Sequence, residues 1–171
     1  MADDPFQLYP TIAQIAATFA GFGSLATGIG QRRGSDDARI DAYRVGFMLF
    51  ASLSDTMLGL LPATLAGLSF GMRWALGAPA WAAVIALIIY VPISASRVGR
   101  MMDVAGFSIA SGIGNTICAL TALAAFAMCA AGMPAGRLAD FYLLGLMGLL
   151  GSSVIMFSRV IVSMLRPHKG G

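Results

Sequence analysis

Apolar residues fall in five blocks, each long enough to supply the roughly 20 residues of a helix that crosses a bilayer. Blocks 11–30, 74–96 and 104–136 carry no charge, whereas 45–72 contains only Asp55 and 141–165 contains only Arg159. The pattern predicts an all-α polytopic membrane protein, a bundle of five transmembrane helices. It forms a single transmembrane domain over 1–171, with spans at about 11–30, 45–70, 79–97, 114–132 and 140–165.

Composition points to the same class of protein. Hydrophobic residues make up 58% of the chain and charged residues 11%, with a mean hydropathy of +0.81. A soluble domain has about 25% charged residues. The formal net charge of +3 resides at segment ends, so it does not indicate nucleic-acid binding. We expect an integral membrane protein of a bacterial cytoplasmic (inner) membrane. Its outer surface would contact the lipid bilayer.

Basic residues predict how the spans are oriented. With five spans, eight Lys and Arg residues fall on the side of the C-terminus and only Arg73 and Arg137 fall on the other. The positive-inside rule then places the N-terminus outside and the C-terminus in the cytoplasm. The aromatic residues that mark membrane interfaces agree, since four of them would lie near the outer interface. These are Tyr9, Trp74, Trp81 and Tyr142.

One acidic residue, Asp55, interrupts the second apolar block. On a helix it shares a face with small or polar residues, while the opposite face is bulky and apolar. The shared face carries Asp41, Arg44, Met48, Ser52, Gly59, Pro62, Ala66 and Ser69. A carboxylate near mid-membrane costs about 2.5–3.5 kcal/mol on insertion scales, so it is rarely left without a partner. The small face should therefore meet protein or a water-filled cavity.

Arg159 is a candidate partner for Asp55. A rise of ~1.5 Å per residue puts Asp55 about 16 Å above the inner interface and Arg159 about 10 Å above it. An arginine side chain can cover this difference, so one hypothesis is a buried ion pair between helices two and five. In a second, Arg159 extends to the inner headgroups. In a third, Asp55 lines an ion or proton path with Ser52, Thr56 and Arg44.

Stripes of small residues predict where helices pack closely. Small residues recur three and four positions apart on the first and fifth helices, a spacing that lets backbones approach. They are Ala13, Ala20, Gly145, Gly148 and Ser152. Pro62 should kink or loosen the second helix. Residues 107–115 are rich in Gly and Ser and should lead into the fourth helix, or else form a short re-entrant stretch.

Motifs for catalysis and cofactor binding are absent from the sequence. No stretch resembles a phosphate loop or a dinucleotide fingerprint. The one histidine, His168, lies in the tail, so membrane histidines cannot form a haem or metal site. We therefore predict no enzyme activity and no cofactor.

Several short motifs carry a resemblance to a known group. The run from Ala16 to Phe22 (AATFAGF), Leu60-Leu61-Pro62, Tyr142-Leu143-Leu144 and Phe157-Ser158-Arg159 are typical of its helices. The chain thus resembles small, uncharacterised bacterial multi-pass membrane proteins with an Ala-rich first helix that ends in Ala-Gly-Phe. The resemblance implies a fold and no activity.

Two functions remain open from the sequence. The first is a small homo-oligomeric ion channel or transport protein with a polar path near Asp55. The second is a non-catalytic accessory or scaffold subunit of a larger membrane complex, in which other membrane subunits would be the partners. A homo-oligomer is expected because the stripes of small residues offer more packing surface than one bundle needs.

Overall fold

The structure, a computed structural model, describes residues 5–30, 35–99 and 109–165, which are helical apart from short turns. The long helices are α1 (Pro5–Gly30), α2 (Ser35–Gly67), α3 (Met72–Gly99), α4 (Ile109–Ala130) and α5 (Leu138–Leu165). The charged connections 31–34 and 100–108 and the tail from 166 on, which the orientation prediction uses, lie outside the described residues.

Four of these helices are long and apolar enough to cross a membrane. The spans are Ala42–Gly67, Met72–Ile93, Ala110–Ala130 and Leu138–Val162. Their length and composition indicate an integral membrane protein with an all-α fold.

Helices α2, α3, α4 and α5 form a ring, in which each contacts the next and α5 returns to α2. In the part of the chain that the structure describes, α2 and α4 do not touch, so α3 and α5 separate them. Helix α1 lies outside this ring against α2 and α5. Helices α3 and α5 also contact each other across the ring, so side chains of all four helices meet in its interior.

Two groups of aromatic side chains pack between helices of the bundle. Towards the start of α5, the rings of Tyr9 and Phe126 each meet Tyr142 edge-on, with centroids 5.4 Å apart. Between α2 and α3, Phe50 stacks on Tyr90 with centroids 3.8 Å apart. Such pairs contribute about 0.5–1.5 kcal/mol each beyond the area they bury. The aromatic pairs thus help hold neighbouring helices in register.

Helix α3 begins earlier than predicted. The third span was predicted at about 79–97, but the helix starts at Met72 and contains Pro79. Ala75 and Leu76, which precede the predicted span, are buried, and the Cys129 thiol contacts the Leu76 carbonyl at 4.0 Å. Tertiary packing thus extends the helix past the proline, which neighbouring helices allow in membrane proteins.

Helix α4 also begins ahead of its predicted start near 114. Residues from Ile109 on belong to one continuous helix, so the re-entrant alternative is wrong for 109–115. Helix α4 ends where Gly132 adopts a left-handed conformation with φ of 74°. There the Met133 amide donates to the Met128 carbonyl and the Gly132 amide to the Cys129 carbonyl, which closes the helix end.

Candidate functional site

Asp55 lies midway along the span Ala42–Gly67 and is completely buried. Neither of its carboxyl oxygens has a hydrogen-bond partner among the described residues. At ~1.5 Å per residue, it is about 20 Å from either end of that span. Buried polar atoms are nearly always bonded in folded proteins, so this carboxyl marks the candidate functional site.

Hydroxyl groups next to Asp55 direct their protons elsewhere. The Ser52 hydroxyl donates to Ser153 Oγ at 3.1 Å, and the Ser153 hydroxyl donates to the Leu149 carbonyl at 3.2 Å. The Thr56 hydroxyl lies 2.8 Å from the Ser52 carbonyl and 3.3 Å from the Ala13 carbonyl, so it links α2 to α1. None of these hydroxyls donates to Asp55.

The ion pair predicted between Asp55 and Arg159 does not satisfy the Asp55 carboxyl. The contact of Ser52 with Ser153 sets the register of the antiparallel helices α2 and α5. In this register Asp55 and Arg159 lie on opposite sides of that contact, about 13 Å apart along the axis. An arginine side chain does not cover that distance. The depths estimated from the sequence were counted from the inner interface on each helix separately, so they did not include this offset between α2 and α5.

Two further buried polar atoms lack a partner in the described part of the chain, Ser152 Oγ and Asn115 Oδ1. Ser152 lies next to Ser153, turned towards α4 on the same side of α5 as Gly148. Asn115 is one turn from Cys118, whose carbonyl oxygen lies beside Gly148. Both positions therefore face the interior of the ring.

These residues form one layer of the bundle. The helix registers place Asp55, Ser152 and Asn115 within about 7 Å of one another along the axis. We call this group, with the bonded Ser52 and Ser153, the polar layer. Two of its members were predicted as path-lining residues, Asp55 and Ser52. The other two residues predicted to line a path lie outside the polar layer. Thr56 bonds to backbone carbonyls, and Arg44 is half-buried nearer the start of α2.

The small-residue positions lie mostly at helix contacts. A Cβ built on Gly148 would lie 2.9 Å from the Cys118 carbonyl oxygen, and one on Gly145 would lie 2.7 Å from the Phe126 ring. Ala13 is buried against Gly59, whereas Ala20 is half-buried. Ser152, predicted as a packing residue, belongs to the polar layer. The close approach of α4 to α5 is what brings Asn115 near Ser152.

Pro62 weakens the preceding turn of α2. Because proline has no amide hydrogen, the Leu58 carbonyl loses its bond within the helix. The Tyr142 hydroxyl donates to this carbonyl at 2.6 Å, and all three residues are buried. Helix α5 thus holds α2 at its weakened turn, one turn from Asp55.

Sequence reasoning missed Asn115, Ser153 and Tyr142 as parts of this region. Asn115 had a signal, since it is the one amide side chain in block 104–136. For Tyr142 the signal was Pro62, which leaves a carbonyl in need of a donor. Ser153 had no signal, because its role depends on the α2–α5 register.

The class that this geometry defines is an all-helical integral membrane protein with a polar layer inside the bundle. No three His, Cys, Asp or Glu residues come together within residues 5–30, 35–99 and 109–165. No family model, curated protein or solved structure matches the chain.

Proposed function

We propose that this protein is a small ion channel or transport protein in which a cation or proton passes through the polar layer of each bundle. The observation that carries the proposal is the buried Asp55, whose carboxyl oxygens have no hydrogen-bond partner within the described residues. An ionisable residue inside a membrane bundle is costly, so it persists where function requires it. A path inside one bundle is favoured over one between subunits, because Asp55 is buried within the chain itself.

Ion flux in liposomes tests this proposal. The purified chain is reconstituted, and proton, Na⁺ and K⁺ fluxes are measured for the wild type, Asp55→Asn and Asp140→Asn. Asp140 is the matched control, since it is a carboxylate exposed at the start of α5. We expect Asp55→Asn to reduce flux about tenfold or more, equivalent to at least ~1.4 kcal/mol, and Asp140→Asn to leave it unchanged. Wild-type liposomes no leakier than empty ones would contradict the proposal.

We further propose five crossings, with the N-terminus outside a bacterial inner membrane and the C-terminus in the cytoplasm. Contacts along α1 support its crossing. Gly59 lies against Tyr9 and Ala13 near one end of α1, and Gly23 lies against Met48 near the other. Helix α1 thus follows the span of α2. A tag at the N-terminus should react with a membrane-impermeant reagent in intact cells, and a tag at the C-terminus should react only after lysis.

A homo-oligomer is also proposed. Less of the apolar span is buried within the chain in α3 (33%) and α4 (22%) than in α2 and α5 (50% each). In the proposed oligomer a second copy covers part of this outer face of α3 and α4, and lipid covers the rest. Mass measurement in several mild detergents tests this, and a monomer in all of them would contradict it.

The scaffold alternative used an Asp55–Arg159 pair as the structural link, and the α2–α5 register argues against that pair. A scaffold would also show no flux in the liposome experiment, so the same measurement separates the two functions.

A further inference from the structure

We infer that the polar layer binds one monovalent cation of the sodium type, held by the Asp55 carboxyl with Ser152 Oγ and Ser52 Oγ. This inference rests on the proposed transport function and deepens it, since it names the substrate of the same site.

Hydrogen-bond directions make this layer a cation site. The Ser52 hydroxyl gives its proton to Ser153, and the Ser153 hydroxyl gives its own to the Leu149 carbonyl. Each hydroxyl oxygen has two lone pairs, so Ser52 Oγ can still accept next to Asp55. The Thr56 hydroxyl likewise directs its proton to backbone carbonyls. Oxygens that present lone pairs together with a carboxyl attract a cation and repel an anion.

Asp55 and Ser152 converge from two helices. Side chains on a helix lean towards its N-terminus. Because α2 and α5 run antiparallel, Asp55 leans along the axis towards the level of Ser152, and Ser152 leans back towards that of Asp55. A carboxyl and a hydroxyl are natural hydrogen-bond partners, yet neither is bonded among the described residues, although both are at least 98% buried. An ion between them would satisfy both groups.

Charge and ligand type select the ion. Asp55 is the one acidic residue inside the apolar blocks, so the layer balances one positive charge. A divalent ion would need more negative charge than one carboxylate supplies, and Mg²⁺ also keeps several waters. Softer metals use Cys and His ligands, which do not cluster with Asp55 in the described residues. One carboxyl with neutral hydroxyl oxygens suits a hard monovalent cation.

Thermal unfolding of the full chain in detergent tests the inference. Melting temperature is measured against concentration of NaCl, KCl or choline chloride at constant ionic strength. We expect Na⁺ to raise the melting temperature above that in choline, because a ligand that binds the folded state stabilises it. Ser152→Ala should weaken the apparent Na⁺ affinity about tenfold, and Asp55→Asn should abolish the Na⁺ effect. Ser158→Ala is the matched control, since Ser158 is exposed on the same helix and bonds to the Val154 carbonyl.

Equal melting temperatures in Na⁺ and choline would overturn the inference, as would an unchanged Na⁺ affinity in Ser152→Ala. If Asp55→Asn does not fold, Ser152→Ala against Ser158→Ala decides the matter. Flux of protons or K⁺ without a Na⁺ effect on melting would overturn this inference and leave the proposed function standing. A Na⁺ effect without flux would support the site and contradict transport.

Discussion

Replacing Tyr142 by phenylalanine should destabilise the bundle, because its hydroxyl bonds to a carbonyl of α2 that Pro62 leaves unpaired. The Tyr142 hydroxyl is the donor, at 2.6 Å, for the Leu58 carbonyl that Pro62 leaves without its helical partner. An unpaired buried carbonyl costs about 1–3 kcal/mol, and hydrogen bonds between membrane helices average ~0.6 with a maximum near 1.7 kcal/mol. We therefore expect Tyr142→Phe to lower the free energy of unfolding by about 1 kcal/mol.

Pro62→Ala provides the test of this cause. An alanine at this position restores an amide that can bond to the Leu58 carbonyl within α2. In the Pro62→Ala background, Tyr142→Phe should therefore cost only about 0.3 kcal/mol, so that the two changes are coupled. The control is Tyr9→Phe. The Tyr9 hydroxyl donates to the Ala139 carbonyl, and α5 has no proline that would deprive this carbonyl of its helical partner.

The assay is reversible unfolding in mixed detergent micelles, followed by circular dichroism for each single and double variant. Tyr9→Phe should cost the same in both backgrounds. An equal cost of Tyr142→Phe with and without Pro62 would refute the reasoning, because the hydroxyl would then not be replacing the missing amide.

Three further predictions use the same unfolding assay. Gly148→Ala should cost about 1–3 kcal/mol because its methyl group meets α4. Gly46→Ala, in open space on α2, should stabilise by about 0.5–1 kcal/mol. Equal effects of the two substitutions would contradict the close approach of α4 to α5. Ser69 has a φ of 66° just after α2, so Ser69→Gly should stabilise by up to ~1 kcal/mol, and a loss of stability would argue against this cap. Asp55→Asn and Arg159→Gln should change stability additively to within ~0.5 kcal/mol. A double variant that recovers the stability lost in the single variants would instead support the ion-pair hypothesis.

The length of the apolar blocks was enough to identify the all-helical membrane class, since an apolar block of bilayer length has few other stable structures. It also singled out Asp55, because one carboxyl in an apolar helix stands out without any structural knowledge. Helix bounds were less accessible: Pro79 reads as a helix start from local propensity, yet contacts of Ala75 and Leu76 with the bundle extend α3 back to Met72.

Partners across helices were decided only by the tertiary structure. The sequence gives the depth of Asp55 and of Arg159 on separate helices, but the offset between those helices depends on how α2 and α5 pack. That offset takes Arg159 out of reach and brings Ser152 towards Asp55. It also lets Tyr142 meet the carbonyl that Pro62 exposes. Local spacing carries no information on such a register, because it depends on the close packing of side chains from distant parts of the chain.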